Sequence, residues 1–370
     1  MQFIDLSKQY KSIEQQIDNR IKKVLEHTKF IMGPEVYELE EQLAHFVKIK
    51  HCISVSSGTD ALLIALMALD LKPGDEVVTT AFSFFATAET IMLLGLKPVF
   101  VDIDPSTFQI DPNLIEQAIT ARTKVLMPVS LFGQTGDMDL INTIAAKYHL
   151  VVIEDGAQSF GATYKGKKSC GLSTIGCTSF FPSKPLGCYG DGGAIFTEDD
   201  ILAKKMRELR VHGQAQRYVH SSLGVCGRFD TIQAAILLEK FTIFELEIVK
   251  RQQIVEEYSK HLRDYITLPF VPDYNKSVFA QYTIRTSSRD ALAQYLQKMG
   301  IPTAIHYPAP LTKQPVMQHL ECAKIALPHS ELAANEVLSL PMHPYLTEAE
   351  IAKISEAVIN FIKEPIEVLS

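Results

Sequence analysis

The sequence lacks the features that mark several classes of protein. Its six cysteines show no CxxC pairing and no metal-ligand spacing, so we expect free thiols, no disulfide and no bound metal. The longest apolar stretch, Ala61 to Leu69, is far shorter than the roughly 20 residues of a membrane span and is predicted to be a core helix. No internal repeat or low-complexity segment is present.

Basic residues are not in excess. Acidic and basic side chains are interspersed and give a net charge of −7, so no basic face is expected for nucleic acid or for a membrane surface. The amino terminus carries Asp5 early and lacks the apolar core of a signal peptide, which predicts a cytoplasmic protein. We therefore expect neither a nucleic-acid partner nor a membrane partner.

The glycine fingerprint of dinucleotide-binding folds is also missing. Asp102 and Asp104 lie at the end of a predicted strand, where an acid can bind the ribose of a dinucleotide. No G-x-G-x-x-G pattern precedes them. An NAD-dependent enzyme is therefore a poor interpretation.

Alternating apolar strands and helices dominate the first two thirds of the chain. Apolar residues make up 46% and charged residues 21%, as in soluble globular enzymes. This alternation predicts an α/β fold with a mostly parallel, doubly wound sheet. The predicted strands are His51–Val55, Glu76–Thr80, Val99–Ile103, Val125–Val129, Leu150–Asp155 and Ala194–Thr197, and the predicted helices are Ile13–His27, Glu35–Val47, Ala61–Leu69, Pro112–Thr120, Asp139–Tyr148 and Ile201–Arg210.

A second lobe is expected because 370 residues exceed what one compact core usually holds. A helix is predicted to open after Asp230, and the pattern from Phe241 to about Arg263 predicts one long helix that leads into the second lobe. We predict a large domain over 1–245 and a small carboxy-terminal domain over 246–370. A strand at Ala280–Ile284 and a helix at Arg289–Met299 are expected there, and the end of the chain through Phe361 is predicted to be helical.

The segment from Thr178 to Ala194 holds the most informative lysine. Lys184 lies between Ser183 and Pro185, just before four glycines, so its backbone belongs to a tight connection rather than to a solvated helix face. A desolvated lysine loses its proton more easily and can form a Schiff base with an aldehyde. The alternative is a loop lysine in water, which is the common case for lysine.

Two other stretches favour a cofactor beside Lys184. The strand ending at Asp155 brings a carboxylate to the edge of the sheet, where it can cap a helix or keep the ring nitrogen of pyridoxal phosphate protonated. Ser56-Ser57-Gly58-Thr59 leads into an apolar helix. Such a start is either an ordinary cap or a phosphate cradle, with Gly58 and Thr59 as donors.

The order of three motifs carries a family resemblance. Ser56–Leu62, Glu154–Gly161 and Ser179–Gly193 together resemble the DegT-type sugar aminotransferases, which are pyridoxal-phosphate enzymes of fold type I. The likeness extends from Phe30 to Tyr345, and Phe180–Gly193 is most similar to members that aminate UDP-2-acetamido-2-deoxy-3-oxo-glucuronate. It implies a seven-stranded large domain, a smaller α+β domain and a homodimer with shared active sites.

The resemblance also implies roles for residues around the cofactor. Phe84 would stack on the pyridoxal ring, Gln158 would approach its phenolic oxygen, and Ser179 would join the phosphate site. Family members usually carry asparagine at the position of Cys226, where it reaches the cofactor phosphate of the neighbouring subunit. A thiol is a weak donor, so backbone amides or Arg228 are expected to compensate.

Further residues are implied for the substrate side. Met32 and Gly33, in the break between the first two long predicted helices, are expected to approach the sugar. Arg228 is expected to bind an acid group of the substrate, or else to form a surface ion pair. His306 and Tyr307 match a strand that bears substrate-side groups, although such residues beside prolines are also often structural.

The resemblance implies transamination of a nucleotide-linked ketosugar with L-glutamate as amino donor, for surface polysaccharide such as lipopolysaccharide O-antigen. One alternative is an aminotransferase for a dTDP-3- or 4-keto-6-deoxysugar, which has no uronate carboxylate. Another is a non-enzymatic regulator on the same fold, which Lys184 and the lack of a DNA-binding helix pair disfavour. Related dehydratases carry histidine in place of the lysine, so Lys184 excludes them.

Overall fold

The computed structural model describes residues 1–363 and contains fourteen strands within that range. Seven of them form the central sheet, and the others form a three-stranded sheet in the order β12-β6-β7 and two two-stranded sheets, β10-β11 and β13-β14. The strands are β1 (His51–Val55), β2 (Glu76–Thr80), β3 (Lys97–Val101), β4 (Thr123–Met127), β5 (Val151–Asp155), β6 (Thr163–Tyr164), β7 (Lys167–Lys168), β8 (Ile175–Ser179), β9 (Gly193–Thr197), β10 (Gln214–Gln216), β11 (Val219–His220), β12 (Asn275–Lys276), β13 (Tyr282–Arg285) and β14 (Val337–Leu340).

Helices cover both faces of the central sheet and build much of the second lobe. No helix within residues 1–363 combines the length and the apolar composition needed to cross a bilayer. The helices are α1 (Leu6–Ser12), α2 (Glu14–His27), α3 (Pro34–Val47), α4 (Gly58–Ala68), α5 (Ala86–Leu93), α6 (Ile115–Ala118), α7 (Met138–Lys147), α8 (Asp200–Leu209), α9 (Thr231–Leu262), α10 (Arg289–Lys298), α11 (Pro328–Glu336) and α12 (Glu348–Lys363).

The order of the central sheet is β1-β9-β8-β5-β4-β2-β3. Only β9 runs against its neighbours, β1 and β8, and every other neighbouring pair is parallel. The carboxyl ends of β1, β2, β5 and β8 therefore meet at one edge of the sheet, where α/β folds bind ligands. The predicted α/β fold with a mostly parallel sheet is confirmed.

Two apolar layers hold the helices against the sheet. On one face, the nearly all-apolar helix α4 packs Ile64 and Leu66 among Ile53, Ile153 and Ile195 of the strands. On the other face, α3 and the first half of α9 enclose an aromatic cluster that contains three mutually packed phenylalanines. In this cluster Phe160 stacks on both Phe196 and Phe244, with ring centroids 5.9 and 5.8 Å away. These layers fix the strand ends that carry the site.

Helix α9 joins two helices that the sequence pattern predicted separately, one that opens after Asp230 and one from Phe241 to about Arg263. It runs without a break from Thr231 to Leu262 and spans 32 residues, or about 48 Å. Residues 234–238 are all buried, so they show no amphipathic period that would link the two predicted helices. The predicted boundary between 245 and 246 falls inside this continuous helix. A division into domains 1–245 and 246–370 stays a prediction.

The second lobe has a core of its own and more strand than expected. β13 pairs with β14 in antiparallel register, from Tyr282 opposite Leu340 to Arg285 opposite Val337. The prediction of helix through Phe361 is therefore wrong for Val337–Leu340, where four consecutive buried residues resemble a buried helix segment in sequence. The helix predicted at Pro112–Thr120 is also shorter, since a 3₁₀ turn leads into α6.

Candidate active site

A cavity of about 480 Å³ opens at the edge of the sheet where the strand ends meet. Side chains from the ends of β1, β2, β5 and β8 reach it, and a segment of the second lobe closes one side. Nine of the residues predicted for the site line this cavity: Gly58, Thr59, Phe84, Asp155, Gln158, Ser179, Lys184, His306 and Tyr307.

Lys184 lies in the loop between β8 and β9, which we call the lysine loop (Phe181–Gly190). Its backbone N–H donates to the carbonyl of Phe181 over 2.8 Å, which closes a tight turn. A β-carbon at Gly187 would lie 2.6 Å from that same carbonyl, so the return of the loop requires glycine. Protein atoms surround the amine, and this desolvation lowers the pKa of Lys184 to about 8, against the opposing influence of Asp155.

Asp155 ends β5 and is buried. One carboxylate oxygen accepts from the hydroxyl of Thr87 over 2.9 Å, and the other accepts from the backbone N–H of Ala157 over 3.2 Å. Ser83 and Thr87 are 3.0 Å apart, so Ser83 donates to Thr87 when Thr87 donates to Asp155. Desolvation raises the pKa of Asp155, and the contacts with Thr87, Ala157 and the Lys184 charge lower it.

The start of α4 presents unused donors to the cavity. Ser57 caps the helix by accepting from the N–H of Asp60 over 3.0 Å, while the N–H groups of Gly58 and Thr59 bond to no other part of residues 1–363. A β-carbon at Gly58 would lie 2.6 Å from the β-carbon of Ser179, so only glycine allows these chains to approach so closely. A helix start with free N–H groups binds an anion such as phosphate.

An exposed aromatic ring borders the cavity. The side chain of Phe84 is 59% exposed, which is unusual for phenylalanine and leaves a flat face available to a ligand. Its ring centroid lies 6.2 Å from that of Tyr307, whose own ring is largely covered. The turn after β2 therefore presents an aromatic face to the cavity, and the stacking of a ligand ring on Phe84 stays a prediction.

Gln158 and Tyr307 are joined by a hydrogen bond. The amide nitrogen of Gln158 donates to the Tyr307 hydroxyl over 3.0 Å, and its amide oxygen accepts from the N–H of Phe132 over 2.9 Å. One amide hydrogen of Gln158 remains for a ligand. Burial, together with the charge of Asp155, raises the pKa of Tyr307, so its hydroxyl stays protonated.

His306 is held neutral at the same side of the cavity. Desolvation, and then the charge of Lys184, lowers its pKa to about 4. Its ring nitrogen Nδ1 lies 3.1 Å from the hydroxyl of Ser339 on β14, so the second lobe fixes the ring. A neutral imidazole beside Lys184 can donate or accept a hydrogen bond without adding a competing charge.

Four predicted residues lie outside this cavity, and we call them the surface cluster: Met32, Gly33, Cys226 and Arg228. The guanidinium of Arg228 donates to the exposed Cys226 sulfur over 3.0 Å. The N–H of Gly33 donates to Thr231, which begins α9, over 2.9 Å. The two loops are thus neighbours at the start of α9, as Ile31 also pairs with Asp230.

Sequence reasoning missed several polar residues of the cavity. Thr87 lies one helical turn beyond Phe84, so a hydroxyl at that spacing was a signal available in the sequence. Gln281 gave no local signal, because it reaches the cavity only through the packing of the second lobe. The missed polar lining residues are Ser83, Thr87, Ser183, Asp191 and Gln281.

These groups fit pyridoxal phosphate at its three functional ends. The N–H groups at the start of α4 suit the phosphate, the Asp155 carboxylate suits a protonated ring nitrogen, and the amine of Lys184 suits the aldehyde. The cavity of about 480 Å³ and the exposed face of Phe84 leave room for the group. Fold and fit together define a pyridoxal-phosphate enzyme of fold type I.

Comparison with known proteins narrows this class to one family. The sequence matches the DegT/DnrJ/EryC1/StrS aminotransferase family over residues 11–359. It is 56% identical to UDP-2-acetamido-2-deoxy-3-oxo-D-glucuronate aminotransferase of Pseudomonas aeruginosa, and the match covers 97% of this chain and 100% of that relative. The chain belongs to the DegT/DnrJ/EryC1/StrS aminotransferase family, and its activity is that of a pyridoxal-phosphate-dependent aminotransferase.

Solved structures agree with this assignment. A DegT DnrJ EryC1 StrS aminotransferase from Brucella abortus superposes with a TM-score of 0.96 at 41% identity, covering 98% of this chain and 100% of that chain. The ntda protein of Bacillus subtilis, solved with bound cofactor PMP, gives a TM-score of 0.90 at 35% identity, covering 98% of this chain and 83% of that chain. The fold type predicted from the sequence is thereby confirmed.

Proposed function

We propose that the protein transfers the amino group of L-glutamate to the 3-keto carbon of UDP-2-acetamido-2-deoxy-3-oxo-glucuronate. The observation that carries this proposal is the full-length similarity to the Pseudomonas enzyme of that name. The 3-amino sugar would then be used in the cytoplasm for surface polysaccharide such as lipopolysaccharide O-antigen.

The residues of the cavity divide the work of holding the cofactor. The N–H groups of Gly58 and Thr59 and the hydroxyl of Ser179 would bind its phosphate, and Phe84 would cover one face of its ring. The free amide hydrogen of Gln158 would reach its phenolic oxygen. When bound, pyridoxal phosphate supplies an aldehyde that carries the amino group and a ring that withdraws electrons from the substrate carbon.

Lys184 and Asp155 supply the proton chemistry of the protein. With its pKa lowered to about 8, the amine of Lys184 can take a proton from the substrate carbon and return it near neutral pH. Asp155 holds a proton at the ring nitrogen, and the hydroxyl of Thr87 keeps the carboxylate oriented toward that task. Asp155 is buried and Lys184 is partly covered at the wall of the cavity, so a bound cofactor and substrate would displace water from both groups.

In a homodimer, the surface cluster of one subunit would contribute to the active site of its partner. Large apolar side chains are exposed around it and on the β10–β11 hairpin, including Ile31, Tyr37, Tyr218 and Leu223, the last of which is 91% exposed. Exposed apolar patches of this kind mark protein interfaces. In the proposed dimer, Arg228 binds the uronate carboxylate in the partner's site, Met32 and Gly33 approach the sugar, and Cys226 lies near the partner's cofactor phosphate.

An assay with two ketosugars distinguishes this function from the alternative, an aminotransferase for a dTDP-3- or 4-keto-6-deoxysugar. The purified enzyme is given L-glutamate with either UDP-2-acetamido-2-deoxy-3-oxo-glucuronate or a dTDP-3- or 4-keto-6-deoxysugar, and the amino sugar is measured by mass spectrometry. We expect kcat/KM to be at least about 10²-fold higher for the uronate, since losing a charged contact costs roughly 1.5–3 kcal/mol and the nucleotide also differs. A preference for the deoxysugar would contradict our proposal and favour the alternative function, amination of a dTDP-3- or 4-keto-6-deoxysugar.

A further inference from the structure

A second buried lysine lies beneath the lysine loop. Lys240 of α9 is 1% exposed, and no carboxylate within residues 1–363 pairs with it. Its amine donates to the carbonyl of Gly187 and lies 4.9 Å from the centroid of the Tyr189 ring. The buried Arg210, by contrast, is paired with Glu40 of α3. A buried amine without an ion-pair partner is costly, so its contacts with the loop call for an explanation.

The return half of the lysine loop rests on α9 through two side chains. Gln233 binds the Tyr189 backbone twice: the N–H of Tyr189 donates to its amide oxygen over 2.8 Å, and its amide nitrogen donates back to the carbonyl over 3.3 Å. Lys240, two helical turns later on the same face, binds Gly187. The helix therefore holds this half of the loop at two points.

The return half is also tied to the start of the loop. The N–H of Cys188 donates over 2.8 Å to the carbonyl of Phe180, which directly precedes the loop, and the N–H of Lys184 closes a turn within the first half by donating over 2.8 Å to the carbonyl of Phe181. The return of the chain at Gly187 tolerates no side chain. A displacement of the return half therefore moves the segment that carries Lys184.

We propose that Lys240 is a positioning residue for Lys184: its bond to Gly187 and its place against Tyr189 fix the lysine loop, and with it the amine of Lys184 beside Asp155. This rests on the proposed role of Lys184 in binding the cofactor aldehyde. Glu247 and Cys188 are the ionisable groups near Lys240, together with the Tyr189 hydroxyl, and His306 joins Asp155 near Lys184.

The bond from Lys240 to the loop does not depend on its protonation state. Desolvation lowers the pKa of Lys240 to about 8, with Glu247 and Cys188 opposing this shift. Both the ammonium and the neutral amine carry N–H donors, so the carbonyl of Gly187 keeps its partner on either side of that pKa. A lysine here acts as a long, apolar-stemmed donor that reaches a carbonyl which the helix backbone cannot reach.

The test is Lys240→Met, which keeps the length of the side chain and removes the donor. In the holoenzyme, the absorbance of the cofactor band is titrated against pH, and kcat and the KM for glutamate are measured. We expect the midpoint of the cofactor-band titration to move to higher pH, because a looser loop hydrates the Lys184 nitrogen and so favours its protonated form. We also expect kcat to fall roughly tenfold, since small misplacements of a reacting group are costly, with a much smaller change in KM.

Two matched glutamines of α9 serve as comparison and control. Gln233→Leu frees the same half of the loop without removing a cation, and should move the midpoint in the same direction by less. Gln252→Leu removes an amide that binds the carbonyl of Ser277 instead of the loop, and should leave the midpoint unchanged. If Lys240→Met does not fold, the proposal is tested by comparing the titration midpoint of Gln233→Leu with that of Gln252→Leu.

Several results would overturn the proposal. They are an unchanged midpoint and kcat in Lys240→Met, a loss of thermal stability alone, or an equal shift in Gln252→Leu. Borohydride reduction of the wild-type holoenzyme distinguishes this failure from that of the proposed function. A label on another lysine refutes the role of Lys184, whereas a label on Lys184 with an unmoved midpoint refutes only the role of Lys240.

Discussion

The catalytic cavity and the surface cluster differ in how completely one chain builds them. The cavity residues stand at the ends of parallel strands, and their polar groups are bound by other residues of the same chain, as Asp155 is by Thr87. Cys226 and Arg228 contact each other at an exposed position near the start of α9. One chain thus supplies the cavity residues that fit the cofactor, whereas the surface cluster lies outside that cavity, and its use in a partner's site stays a proposal.

The largest effect is expected from Lys184→Ala, which removes the amine from the cavity. The covalent link to the cofactor and the transaminase activity should both be lost, a fall of at least about 10³-fold. Wild-type protein reduced with borohydride and digested should carry the label on Lys184. A label elsewhere would mean that the cavity was assigned to the wrong lysine.

The next largest effect is expected from Asp155→Asn. Its kcat should fall roughly 10²-fold or more, because an amide cannot hold the ring nitrogen of the cofactor protonated. Cofactor binding should persist in part, and the KM for glutamate should change little, since the lost interaction acts mainly on the reacting state. Turnover close to that of the wild type would reduce Asp155 to a turn-capping residue.

Arg228→Glu tests the surface cluster rather than the catalytic cavity. It should lower kcat/KM for the uronate sugar by roughly 10²-fold, because it replaces an attractive charge by a repulsive one, and leave the reaction with glutamate intact. Mixing it with Lys184→Ala under conditions of subunit exchange should restore about a quarter of wild-type activity, since half of the dimers would then contain one complete site. No recovery would mean that Arg228 does not serve a partner's site.

Thr87→Val tests the support of Asp155 through pH. The Thr87 hydroxyl lowers the pKa of Asp155 against the raising effect of burial, so its loss raises that pKa further. The carboxylate then becomes protonated at a higher pH, and the acid limb of the kcat/KM profile should move to higher pH while the alkaline limb stays in place. Serine at this position keeps the donor and should restore the profile.

Cys226→Asn should have the smallest effect. An amide is a better donor to phosphate than a thiol, so cofactor retention during dialysis should improve by about 1 kcal/mol, or roughly fivefold. Alternatively, Arg228, which contacts Cys226, binds the phosphate in place of the asparagine that family members usually carry. Unchanged retention would place this loop away from the partner's phosphate site.

The sequence predicted the parts of the site that depend on local pattern. Lys184, Asp155 and Gly58 stand in short motifs whose chemistry is readable from neighbouring residues. Thr87 and Gln281 reach the cavity through tertiary packing, which local pattern does not encode. The continuity of α9 and the strand β14 were not predicted for a related reason: segments buried on all sides lose the periodicity from which secondary structure is inferred.

The length of α9 also governs how the protein unfolds. Its first half contributes Leu237 and Phe244 to the aromatic cluster beside the sheet, and its second half contributes Tyr258 and Leu262 to the core of the second lobe. Neither core is complete without this one helix. Melting should therefore be a single cooperative transition rather than two, because neither lobe can lose its half of α9 without withdrawing packing from the other.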